Sequence, residues 1–260
     1  MRWVRCDRDG KVFFGVLRGE EVEEVAGTPF AAHEMTGRRH PLSSVKLLVP
    51  VIPPTFYAVG LNYVDHIKSQ AASQGREPNI PQKPDVGYRA INALIATNEP
   101  VIIPRDAGER VQYEAELVVV IGKKAKHLSE DEALSCVFGY TIGNDVSELD
   151  WQAIDRTLWR AKNTDTWKPM GPWIETDVQL DRLTTIVRVN GKTTIEFPTN
   201  HMLFGVATYI SAITRYVTLY PGDVIWMGTE GTSPNLKPGD LCEIEIVGIG
   251  TLRNRFAAES

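Results

Sequence analysis

The sequence predicts a strand-rich α+β fold, and three observations carry that expectation. Short apolar runs punctuated by turn residues outnumber segments of helical periodicity, and the few helical stripes are scattered along the chain. Asn190-Gly191 sits between two alternating segments, a strong short-range hairpin signal. With 260 residues, 43 % of them hydrophobic and 23 % charged, the chain can bury a sizeable core and is too apolar for disorder.

In chain order, KVFFGVL, RGEEVEEVAG and VKLLVPV read as a few strands of a small N-terminal β domain over residues 1–52. Pro53-Pro54 breaks the pattern and marks the start of a second domain, residues 53–260. TFYAVGLNYVDHIKSQAASQG then reads as a strand passing through Gly60 into a helix from about Asn62 to Gly75. On that helix Val64, Ile67 and Ala71 share a stripe, and His66 lies about 200° around from Val64, away from the packing face. The polar, three-proline stretch 76–88 has the composition of an irregular connection or lid. VQYEAELVVVIG reads as a buried strand, SEDEALSCVFG as a helix opened by a Ser129/Glu132 capping box, and YTIGNDVS as a strand ending in polar residues. TTIVRVNGKTTIEF supplies the hairpin and HMLFGVATYISAITRY a helix. The tail, PGDVIWMGTEG and KPGDLCEIEIVGIGTLRNRF, is strand-rich with two Pro-Gly-Asp turns. There is no internal repeat.

Charge narrows the function classes. Lys and Arg number 28 against 33 Asp and Glu, a formal charge of −5, whereas nucleic acid binding calls for a basic face. The longest purely apolar run, Leu117 to Ile121, is five residues, far short of the roughly 18 that span a bilayer. The N-terminal stretch lacks an apolar signal-peptide core, so the expected location is the cytoplasm. Cys6, Cys136 and Cys242 form no Cys-x-x-Cys pair and read as reduced, mostly buried thiols.

Walker, dinucleotide, GxSxG and HExxH motifs are absent. Five segments carry candidate chemistry, each with a plainer reading beside it. Glu114-Ala-Glu116 puts two carboxylates on one face at the mouth of an apolar strand: either a solvated strand end, or two like charges that need a cation or a proton. Gly143-Asn144-Asp145 is a turn, or the third carboxylate of an all-oxygen set suited to Mg²⁺, Mn²⁺ or Ca²⁺. Arg160 to Trp173 gathers cations, hydroxyls and indoles, with Lys162 either a surface residue or a ligand contact. His66 follows a glycine-rich strand end, as a structural, exposed or catalytic imidazole. Gly228-Thr229-Glu230-Gly231 is a plain turn, or a loop whose backbone approaches a ligand.

Taken together and in this order, GLNYVDH, YEAELVVVIG, GYTIGNDVS, AKNTDTWKPMGPW, PTNHMLFGVATYISAITRYVTLYPGDVIWMGTEG and KPGDLCEIEIVGIGTLRNR resemble the fumarylacetoacetate hydrolase family, over about residue 53 to the C-terminus. The resemblance implies a mixed β-roll catalytic domain with a small N-terminal β domain, a homodimer, and a divalent metal, usually Mg²⁺. It places the metal ligands at Glu114, Glu116 and Asp145, catalytic roles at His66 and Lys162, and substrate contacts at Arg89, Lys162, Gly228 and Thr229. Three positions depart from the family pattern. Ser69 stands where many members carry a glutamate that orients the histidine, Glu148-Leu149-Asp150 where many carry an arginine, and Arg89 where a lysine is common.

These residues suggest a small anionic oxoacid as substrate. The expected reaction is C–C bond hydrolysis of an acylpyruvate or related diketo acid, in catabolism of aromatic or other carbon compounds, with His66 activating water and Lys162 stabilising the oxyanion. Ser69 leaves His66 without the family's carboxylate, for which Asp65, Gln70 or Glu77 could substitute. Without such a partner, β-keto acid decarboxylation or keto–enol and double-bond isomerisation become the alternatives, with a catalytically silent metal- or ligand-binding member beyond them. Tyr63, Tyr88, Trp167 and Trp173 either line the substrate's distal end or pack in the core.

Overall fold

The computed structural model describes residues 1–73 and 75–260. Its fold is strand-rich α+β, organised around a 12-stranded mixed sheet and a second sheet of five strands. The centre of the larger sheet is Ala115–Ile121, buried along its whole length. Alternation splits this run between two cores: Leu117, Val119 and Ile121 enter one apolar cluster, and Val118 and Val120 enter another. Val137–Asn144 and Val224–Trp226 flank it, both antiparallel, and Phe56–Val59 lies parallel to Val224–Trp226 beyond.

The N-terminal strands Arg2–Arg8, Lys11–Arg18, Glu21–Ala26 and Glu34–Pro41 form an antiparallel meander. It joins the same sheet through Arg2 and Trp3, which pair with Glu175 and Ile174 of the strand Lys168–Glu175. Of the apolar stretch VKLLVPV only Lys46–Leu47 is strand.

The Asn190-Gly191 hairpin forms between Thr184–Val189 and Lys192–Pro198, with φ of 52° and 78° at its tip, the two positive values a type I′ turn requires. The Ser129/Glu132 capping box is made, though the helix it opens is only Glu130–Ala133 before a 3₁₀ turn. The expected late helix runs Val206–Tyr216, burying Val206, Tyr209, Ile210 and Ile213 at helical spacing. It begins five residues after His201 because the preceding segment is tied elsewhere. Leu203 and Phe204 donate their N–H groups to the carbonyl and side-chain oxygens of Asn62, at 2.7 and 2.9 Å. The Asn62 amide donates in turn to the Phe204 and Met227 carbonyls. Asn62 thereby fastens three segments just ahead of the helix Val64–Ser73, whose Ile67 and Ala71 are buried as expected. Among the described residues no helix is long and apolar enough to cross a membrane.

Candidate active site

Strand register builds the acidic centre. Ala115 pairs with Asn144 and Glu116 with Gly143, so Asp145 arrives opposite Glu114 and donates its N–H to the Glu114 carbonyl at 2.9 Å. Asn144 Oδ1 accepts the Glu114 N–H, and the strand is interrupted there, between Val111–Gln112 and Ala115–Ile121. One carboxylate oxygen each from Glu114, Glu116 and Asp145 lies within 4.8 Å of the others. Glu116 and Asp145 are almost fully buried. Three hard oxygen donors converging at a pocket floor fit a divalent cation such as Mg²⁺ or Mn²⁺.

The two buried carboxylates are handled differently. Asp145 is met by three cations: Lys168 Nζ lies 2.7 Å from Oδ1, Arg89 Nη2 donates to Oδ2 at 2.9 Å, and Lys162 Nζ donates to Oδ2 at 3.2 Å and to Glu114 at 2.6 Å. Burial alone would raise the Asp145 pKa, but Arg89, Lys162 and Lys168 hold it well below the usual carboxylate range. Glu116 accepts one backbone N–H, from Gly228 at 2.8 Å. Burial, with Asp145 and Glu114 beside it, pushes its pKa well up. Gly228 is glycine for two reasons: its φ is +83°, and an added Cβ would sit 3.2 Å from that of Asn62. That backbone turn is what aims the N–H at Glu116.

A pocket of about 260 Å³ brings together His66, Arg89, Glu114, Glu116, Asp145, Lys162, Gly228 and Thr229, every residue to which the resemblance gave a metal, catalytic or substrate role. His66 Nδ1 lies 2.5 Å from the Gly231 carbonyl, which only accepts, so Nδ1 carries the proton and Nε2 is left to take or give one. Among the described residues the hydrogen-bond partner of the ring is this loop carbonyl. Ser69 faces a smaller neighbouring cavity that shares His66, Gln70 and Glu114 with the first. Glu148 caps the helix Leu149–Ile154 by accepting the Trp151 N–H, and Asp150 pairs with Arg110, so this stretch supplies no cation to the pocket.

The sequence reading missed two residues. Gln152 lines the pocket, and its buried Oε1 has no hydrogen-bond partner among the described residues. Lys168 lies directly behind Asp145 and is fully buried. Burial pushes its ammonium down to about 8, with Asp145 opposing the shift and Arg89 and Lys162 adding to it. The signal was available, since Lys168 stands in the same cation-dense segment as Lys162. The four aromatic candidates lie outside this pocket: Tyr63 and Trp167 are core, Trp173 donates to the Ile249 carbonyl, and Tyr88 is exposed against Tyr57.

Fold and site together define a member of the fumarylacetoacetate hydrolase family. The chain belongs to it: the model of the fumarylacetoacetate (FAA) hydrolase C-terminal region matches residues 55–257. Residues 1–50 match an Rv2993c-like N-terminal model, which places the chain in the Rv2993c-like subgroup. It is 39 % identical to the 2,4-didehydro-3-deoxy-L-rhamnonate hydrolase of Sphingomonas sp. (strain SKA58), over 77 % of this chain and 72 % of that protein. It is 34 % identical to the mitochondrial oxaloacetate tautomerase Fahd2a of Rattus norvegicus, over 92 % of this chain and 77 % of that one. The crystal structure of 5-carboxymethyl-2-hydroxymuconate delta-isomerase from Mycobacterium smegmatis is 34 % identical, superposes with a TM-score of 0.90, and is matched over 100 % of both chains.

Proposed function

We propose that this chain is a divalent-metal-dependent enzyme, with Mg²⁺ the resident ion, that moves a proton at the carbon beside the 2-oxo group of a small anionic oxoacid. Keto–enol tautomerisation and double-bond isomerisation are both of this class. The observation that carries the reading is His66, held in one tautomer by the Gly231 carbonyl at the rim of a pocket floored by three carboxylates and lined by two cations.

A cation held by Glu114, Glu116 and Asp145 would polarise the 2-oxo oxygen and so acidify the neighbouring C–H. The rest of the work falls to the chain. Arg89 and Lys162 exchange Asp145 and Glu114 for the substrate's carboxylate and for the oxygen on which negative charge develops. His66 Nε2 takes the proton from one position and returns it to another. The carbonyl partner orients the ring and leaves Nε2 as the atom that exchanges the proton. The names of the rat tautomerase and the mycobacterial isomerase are consistent with this chemistry.

C–C hydrolysis is the second reading. The open Oε1 of Gln152 could hold an attacking water, and the Sphingomonas relative is named a hydrolase. One experiment separates the two. Protein with Mg²⁺ is mixed with oxaloacetate or an acylpyruvate, the enol absorbance is followed, and products are quantified. Loss of enol signal with the carbon skeleton intact is the expected result; stoichiometric pyruvate plus a carboxylic acid identifies hydrolysis, and pyruvate plus carbon dioxide decarboxylation. Tight metal binding with no turnover of any oxoacid would leave a silent binding protein. His66→Ala should lower turnover by about 10²–10⁴-fold; near-normal turnover removes the imidazole from the mechanism.

A further inference from the structure

Charge counting at the acidic centre leaves one cation without a part in the proposed reaction. Arg89 and Lys162 line the pocket and can exchange Asp145 for a ligand. Lys168 cannot. It is 0 % exposed, and its three ammonium protons match three acceptors: Asp145 Oδ1 at 2.7 Å and the Val146 and Trp167 carbonyls at 2.9 Å each. It opens the strand Lys168–Glu175, where it pairs with Leu94 and precedes Pro169, so its backbone is as fixed as its side chain.

We propose that Lys168 is a positioning residue that keeps one oxygen of Asp145 turned to the pocket and sets the charge of the acidic centre to match a divalent cation plus a dianionic, enolate-like oxoacid. This rests on the metal-dependent oxoacid reading above. With a divalent cation held by Glu114, Glu116 and Asp145 in their ionised forms, the Lys168 ammonium beside Asp145 would bring three negative charges to a net of two, which that cation would neutralise. Arg89 and Lys162 are then released with two positive charges, the complement of a carboxylate and an enolate oxygen on the same ligand. Without Lys168 the same carboxylates would hold the metal more tightly, and the loaded pocket would carry one more negative charge against an incoming dianion. The residue thus gives up metal affinity for preference toward the charge-developed form of the ligand.

The test is calorimetry at neutral pH on the full chain, with Mg²⁺ alone and then with oxalate, a dianion shaped like an enolate of pyruvate, against pyruvate, a monoanion. The parent protein loaded with Mg²⁺ should bind oxalate at least about tenfold more tightly than pyruvate, and equal affinities overturn the proposal without any variant. Lys168→Met should tighten Mg²⁺ binding by about tenfold and lower the oxalate-to-pyruvate ratio by a similar factor. Lys168→Gln, one atom shorter and uncharged but still carrying two N–H donors, should behave the same and covers the case in which the methionine variant misfolds. If both variants bind Mg²⁺ as the parent does, or more weakly, with the ratio unchanged, Lys168 is a structural strut only. Failure of the parent to bind Mg²⁺ or either oxoacid instead defeats the proposed function itself.

Discussion

Gly143→Ala probes how closely packing and site are joined. Gly143 sits in the strand Val137–Asn144, two residues before Asp145, with the Trp226 ring against it. A methyl built there falls 2.6, 2.7 and 2.7 Å from three atoms of that ring, where carbon atoms settle at about 3.5–4.0 Å. Something must therefore move by about 1 Å. The indole has nowhere to go: Trp226 is fully buried and its ring lies 4.9 Å from that of Phe56. Overpacking of this kind costs about 1–3 kcal/mol, and the upper end applies because both partners belong to central strands. At about 2–4 °C per kcal/mol for a chain of this size, Tm falls by roughly 6–12 °C. The strain should reach the chemistry too, because Asp145 lies just past the end of the strand that holds Gly143, and Gly228, which holds Glu116, just past the end of the strand that holds Trp226. Mg²⁺ affinity is expected to fall by about tenfold or more. Urea unfolding followed by tryptophan fluorescence reads the first effect and calorimetry the second. Gly60→Ala, where the methyl meets open space, is the control and should stay within about 0.5 kcal/mol. A Gly143→Ala protein with parental midpoint and parental Mg²⁺ affinity would refute the reasoning.

Three further outcomes are expected. Mg²⁺ at about 100 times its Kd should stabilise the fold by roughly 2.7 kcal/mol, reversibly with chelator, and Asp145→Asn should abolish that shift; a variant that still responds would dissociate Asp145 from the metal. Glu24, buried in the N-terminal meander, is held well below the usual carboxylate range by its hydrogen bond to Arg38, against the effect of burial, with His40 and Lys11 adding to it. Its stabilising contribution is complete above the unfolded-chain value of about 4.3 and fades as pH drops toward the native one, so Glu24→Gln should cost about 1–2 kcal/mol at pH 7 and progressively less in acid. An equal offset at pH 7 and pH 3 in urea titrations would contradict this. Gly205→Ser, at the N-cap of the helix Val206–Tyr216, should raise stability by about a few tenths of a kcal/mol, and a lower urea midpoint would count against a simple cap there.

The strands and the hairpin were legible because their signals are local: period-two alternation, Asn-Gly, and Pro-Gly-Asp. The edge strand Glu34–Pro41 was not, since its sequence EMTGRRHP is polar and mostly exposed, as suits an edge that must not recruit partners. The start of the late helix was misplaced because Asn62, 142 residues away from Phe204, decides it, and no local pattern carries that information. At the site, the carboxylates could be read from spacing and resemblance. The group orienting His66 could not, because a backbone carbonyl at Gly231 leaves no side-chain signature. Lys168 was passed over for the opposite reason: a lysine is ordinarily a surface residue, and its burial becomes evident only once Asp145, Val146 and Trp167 converge on it.

What was legible about the site depends on the same alternation that builds the core. Glu116 shares its strand face with Val118 and Val120, while Leu117, Val119 and Ile121 occupy the other. Sliding Ala115–Ile121 by one residue against Val137–Asn144 would carry Glu116 out of line with Asp145 and turn every apolar side chain to the opposite core. The two clusters differ in shape, one reaching the helix Val206–Tyr216 and the other packing on Phe56 and Trp226, so such a slip loses packing on both sides at once. The hydrophobic pattern therefore fixes which carboxylates meet, and the acidic centre is a consequence of strand register before any ligand arrives.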